Sequence, residues 1–96
     1  MDFINWFNHN YEKTDDNKNI INLKELYRNY QCDYMYENLT VKEIKKYKYS
    51  IFKKDIIKNT NLNIYIYERK KINGKDYRNV LTNYKESKNY THLVIK

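Results

Sequence analysis

The side chains able to do covalent chemistry in this sequence are few and scattered. His9 and His92 stand far apart with no cysteine beside either, which is not the ligand spacing of a zinc site. Cys32 is the sole cysteine; without a partner it forms no intrachain disulfide, and a reducing compartment is the simpler expectation. It lies near a helical stripe with no neighbouring histidine, so it reads as a small core residue ahead of a nucleophile. Asp15 and Asp16 make a carboxylate pair, but within a run, Glu12 to Asn19, that is polar throughout and looks like solvated surface. The one glycine, Gly74, cannot build the glycine-rich loop that cradles nucleotide phosphates. No metal and no cofactor is expected, and the chain is expected to be non-catalytic.

Charge is the more informative chemistry. The chain carries 19 lysines and arginines against 12 aspartates and glutamates, a net +7. Residues 1–38 hold four basic side chains and seven acidic ones, a net −3, whereas residues 39–96 hold fifteen and five, a net +10. One half of the sequence therefore holds the whole positive excess, which points to a polyanion partner, nucleic acid first. Two groups of cations stand out. Lys45, Lys46 and Lys48 lead into Lys53, Lys54 and Lys58; Arg69, Lys70, Lys71, Lys75 and Arg78 crowd around Asn73-Gly74. Any single exposed lysine is by default a solvating residue; the collective pattern carries the reading. With only three arginines in the chain, base-specific readout is not expected, because the planar guanidinium is the usual guanine reader. Tyr47, Tyr49, Tyr65, Tyr67, Tyr77, Tyr84 and Tyr90 interleave with the basic half. They could stack on unpaired bases, although alternating tyrosines in strands more often face a core or pair across strands.

The elements that must position these cations follow from periodicity. Phe3, Trp6, Phe7 and Tyr11 predict a first helix with Asp2 as its cap. Glu12 to Asn19 reads as a loop and Ile20-Ile21 as a short strand. Asn22 then caps a helix whose stripe is Leu23, Leu26, Tyr27, Tyr30 and Tyr34. Thr40-Val41-Lys42-Glu43 is a capping box opening a short helix through Ile44 and Tyr47. Ser50 caps a further helix with Phe52 and Ile56 on its inner face and Lys53, Lys54 and Lys58 on the solvent side. Asn59 to Asn61 should stop it, because asparagine tolerates the left-handed conformation. From Asn63 to Tyr67 the composition is that of a strand. Asn73-Gly74 is a type I′ hairpin signal, since both central residues need positive φ, and Tyr77 to Thr82 should return. His92-Leu93-Val94-Ile95 reads as a last strand or a tail.

Residues 1–96 therefore read as one α+β domain in the order of a winged helix-turn-helix: a three-helix core with the last helix basic, then a β-hairpin wing. No apolar run approaches the roughly 20 residues of a membrane span, and the N-terminus lacks the pattern of a secretory signal, so a soluble, intracellular protein is expected. The mean hydropathy of −1.07 would lean towards disorder; the 17% aromatic share opposes it, because tyrosine rings bury large area while keeping a polar tip wet.

The stretch from Phe3 to Tyr84 resembles the C-terminal segment of viral primase-helicases of the poxvirus and giant-virus type. The opening stretch FINWF…YEKTDD, the helix INLKELYRNYQ, the run FKKDI and the hairpin IYIYERKKINGKDYRNV carry the resemblance. It implies a winged helix appended to an ATPase whose own motifs are absent here, so that only duplex DNA binding, beside a helicase, primase or other replication protein, carries over. The host cytoplasm or nucleus would be the compartment. An A/T-rich viral genome would also account for 15 asparagines, 16 lysines, 12 tyrosines and 11 isoleucines with no alanine. Two other classes compete: a protein-interaction module built on the same fold, and a small basic ribonuclease.

Overall fold

The computed structural model describes residues 2–88 and 90. The segment His92 to Ile95, expected as a strand or tail, lies outside the described residues, as does the Asp2 side chain expected as a cap.

The chain opens with α1 (Asp2–Asn10), which buries Phe3 and Phe7 completely. Strand β1 (Tyr11–Lys13) follows, and β2 (Ile20–Asn22) leads into α2 (Leu23–Tyr30). The Asn22 carboxamide oxygen accepts from the backbone N–H groups of Lys24 and Glu25, at 2.9 and 3.2 Å; this is the expected cap. Beyond Tyr30 the helix does not keep its period. Gln31–Met35 forms a π-helical segment before a last α-helical turn, α3 (Tyr36–Asn38). The wider turn advances the inward face, so Met35, five residues after Tyr30, is fully buried. Tyr34, which a 3.6-residue period places inward, lies half-buried with its ring stacked on that of Tyr30, centroids 5.3 Å apart. Cys32 is half-buried and free.

Thr40 and Glu43 form the capping box of α4 (Val41–Lys46): Thr40 Oγ1 accepts from the Glu43 N–H at 3.1 Å, and Glu43 Oε1 accepts from the Thr40 N–H at 2.9 Å. The helix α5 (Tyr49–Asn59) starts earlier than expected, with Lys48 in the cap position and no side-chain cap; Ser50 lies inside its first turn. Nor does a left-handed asparagine end it. Thr60 is extended, and its hydroxyl donates to Ile56 O at 2.6 Å and accepts from Leu62 N–H at 3.1 Å. That turn winds Asn61–Tyr65 into a 3₁₀ helix with Leu62 in the core, although Asn63 to Tyr67 has strand composition. Local capping overrides a propensity that is context-dependent in any case.

The strands β3 (Ile66–Ile72) and β4 (Lys75–Thr82) form the hairpin, with Ile72 opposite Lys75 and Asn73 and Gly74 at φ 51° and 80°. Positive φ at both central residues is what a type I′ turn demands. β4 also pairs with β2, giving an antiparallel sheet of order β2-β4-β3. A second, two-stranded antiparallel sheet joins β1 to β5 (Tyr84–Glu86), so Glu12 and Lys13 lie in a strand and not in the expected loop. The protein is thus a small α+β fold with antiparallel strands. Among the described residues no helix is long and apolar enough to cross a membrane.

Most of the buried residues form one cluster drawn from α1, β1, α2, the π-helical segment, α5, the 3₁₀ turn and β4. Aromatic edges hold its centre: Phe3 lies 5.4 Å from Tyr30 and 5.3 Å from Phe52, both close to perpendicular, the geometry that ring quadrupoles favour.

Candidate nucleic-acid interface

The expected cations sit on three stretches of this frame. The first is the corner between α4 and α5. Its backbone is fixed from below: Tyr27 Oη donates to Tyr47 O at 2.5 Å, and Tyr47 Oη donates to Asp55 Oδ2 at 3.0 Å. Burial, with the Asp55 carboxylate beside it, pushes the Tyr47 hydroxyl well above its ordinary range. Lys45, Lys46 and Lys48 are exposed there. Together with Lys42 and Ile51 they line an open groove of ≈ 620 Å³. Lys42 was not picked out from sequence, because it lies inside the capping box; its spacing of three and four residues from Lys45 and Lys46 on a helix was the available signal.

The second stretch is the outer side of α5. Phe52 and Ile56 are buried, at 0% and 1% exposure, and Lys54 and Lys58 are exposed, as the helical period requires. Lys53 departs from the expectation that it faces solvent. Its side chain is 22% exposed, with Nζ donating to Asn79 Oδ1 at 2.8 Å and lying 3.9 Å from Glu68 Oε1. It packs toward the hairpin.

The third stretch is the hairpin. Arg69, Lys71, Lys75 and Arg78 are exposed and Lys70 is half-buried. Residues paired across strands point to the same face. Arg69 with Arg78, and Lys71 with Asp76, therefore share one face, while Lys70 with Tyr77, and Lys75 with Ile72, share the other. The hairpin carries cations on both faces. Arg69 opposite Arg78 is a like-charge pair in direct register, an arrangement that weakens a sheet; the Asp76 carboxylate, 3.9 Å from the Arg69 guanidinium, offsets part of it. Lys70 Nζ lies 4.5 Å from the Tyr67 ring centroid and Lys75 Nζ 5.3 Å from that of Tyr77, contacts that hold lysine heads near the strands without neutralising them.

Of the interleaved tyrosines, Tyr47, Tyr49, Tyr65, Tyr84 and Tyr90 pack against the core. Tyr90 Oη donates to Asp33 Oδ2 at 2.5 Å, beside the Trp6 indole N–H at 3.3 Å, and burial raises its pKa strongly. Tyr67 is 36% exposed. Among the described residues no three His, Cys, Asp or Glu side chains gather as a metal site would need. Comparison with known protein families, curated proteins and solved structures finds no match for this chain.

Proposed function

We propose that this chain is a winged-helix module that holds duplex DNA, largely without regard to sequence, through α5 and the β3–β4 hairpin. The element order and the sheet order β2-β4-β3 support the fold reading. A strand between the first two helices pairs with the return strand of a hairpin that follows the last helix, which is the arrangement of a wing. The observation that carries the functional reading is the hairpin's charge. Arg69 and Arg78 face each other across the ladder, with further cations on the opposite face, at a cost to the sheet that the Asp76 carboxylate offsets only in part. A polyanion seated against the wing would relieve it. A strand ribbon with cations on both faces can meet two phosphate rows, while Lys54, Lys58 and the α4–α5 corner meet a third run of backbone.

Phosphate contacts of this kind position a protein but do not specify a sequence, and lysine supplies a point charge in place of a reading fork. The module would act as a non-catalytic clamp that keeps a replication machine, such as a helicase or primase, on its template. A titration of labelled mixed-sequence duplex, single strand and RNA across salt concentrations tests this. About four to six phosphate contacts give a log–log slope of about −4 to −5 on duplex. Absence of affinity for every nucleic acid at low salt, or tight salt-independent binding to one sequence, contradicts it.

A further inference from the structure

Lys53 differs from every other cation of the interface. Its side chain, 22% exposed, reaches from α5 to the hairpin, where Asn79 Oδ1 accepts from its ammonium at 2.8 Å and Glu68 Oε1, on a side chain 87% exposed, lies 3.9 Å away. Those two partners occupy facing positions midway along the hairpin, between the pairs Tyr67–Val80 and Arg69–Arg78. Asn79 has φ 50°. Among the described residues it is the one position inside a strand with positive φ, a conformation that asparagine tolerates better than most side chains but that still costs energy there. A half-buried ammonium needs acceptors that replace the lost water, and here both acceptors belong to the wing. To reach a phosphate Lys53 would have to give up both. The helix itself packs chiefly on α2 and on the 3₁₀ turn that follows it, so this link is a direct polar tie from α5 to the strands of the hairpin.

We propose that Lys53 is a positioning residue: through Asn79 and Glu68 it fixes the wing against α5 before DNA arrives, and it neutralises no phosphate itself. The proposal rests on the DNA-clamp reading above. Held in advance, the wing loses little freedom on binding. Released, it can still reach the same phosphates, but it must be ordered at that moment.

The test compares four variants of the full chain on mixed-sequence duplex: Lys53→Met, Asn79→Gly, the two combined, and Lys54→Met. Methionine keeps an unbranched aliphatic stem in place of Lys53, and glycine accepts the positive φ of Asn79 while removing its acceptor. Lys53→Met and Asn79→Gly should each weaken binding about five- to tenfold, and the double variant should be no weaker than the weaker single one. Both should keep the wild-type salt slope, whereas Lys54→Met should flatten it by about 0.9. Hairpin amides should exchange faster than wild type in the free variants and at the wild-type rate in their DNA complexes. A slope loss for Lys53→Met equal to that of Lys54→Met, or additive losses in the double variant, overturns the proposal. If the wild type binds no nucleic acid, the clamp reading fails, and the positioning role falls with it. The exchange of the free hairpin then still reports on the link: unchanged rates in both single variants mean that it does not exist.

Discussion

Replacing Gly74 by valine isolates one physical term. A Cβ placed on Gly74 meets nothing within 4 Å, so the substitution creates no clash. What it changes is the cost of holding φ at 80°, which a β-branched residue meets at about 1–2 kcal/mol. The turn joins Ile72 to Lys75, and the return strand runs on to Val80 and Leu81, which are buried at 2% and 0% exposure. Loosening the turn therefore reaches the core and is not confined to the tip. For a domain of this size 1 kcal/mol moves the melting temperature by about 4–8 °C, so Gly74→Val should melt about 5–15 °C lower. Gly74→Asn should cost a small part of that, because asparagine visits the left-handed region readily. Thermal melts followed by circular dichroism read both. An unchanged Gly74→Val melt refutes the type I′ argument; equal damage from asparagine and valine refutes its conformational basis.

Phe52→Ala removes a fully buried ring lying 5.3 Å from Phe3 and 5.0 Å from Tyr27; denaturant unfolding should show a loss of about 3–5 kcal/mol, and a loss under 1 kcal/mol contradicts the seat assigned to α5. Burial raises the pKa values of Tyr11, Tyr27, Tyr47, Tyr49, Tyr84 and Tyr90. Folding thus favours the neutral phenols: their contribution is intact below the ordinary tyrosine value near 10 and is lost as pH climbs through the raised values. Stability should fall above about pH 10, with the ionisation of these buried phenols appearing together with unfolding; complete tyrosinate absorbance in a protein that is still folded is the contrary result. Lys54→Glu with Lys58→Glu should abolish duplex binding while leaving the melt within about 2 °C, since both lie away from the core. Lys18→Glu with Lys24→Glu should change little, and equal losses would mean that the charge acts diffusely.

How far these features can be read from sequence depends on the distance over which each signal acts. The Asn22 cap and the Thr40–Glu43 box are local exchanges between a side chain and backbone a few residues away, the Asn73-Gly74 turn rests on the positive φ that its own two residues tolerate, and each stands where its residues place it. The β1–β5 pairing joins Tyr11–Lys13 to Tyr84–Glu86 across most of the chain, and neither segment has strand composition. The π-helical turn leaves no mark except in retrospect: Met35 is apolar one residue past the expected stripe. The strand expected at Asn63 loses to the Thr60 turn. Lys53 shows the limit most clearly. Helical period places it beside Lys54, but the hairpin that claims it begins thirteen residues later, at Ile66.

The central claim is that helix and wing grip phosphate together, and the wing's share can be measured directly. Replacing Arg69, Lys70, Lys71 and Lys75 by alanine together removes cations from both hairpin faces and leaves α5 intact. If the wing supplies about half of the contacts, the log–log salt slope on duplex should flatten by about 2 units, while the ranking of sequences stays unchanged. A slope equal to that of the wild type would contradict the account, because the hairpin would then bear its charge for some other purpose.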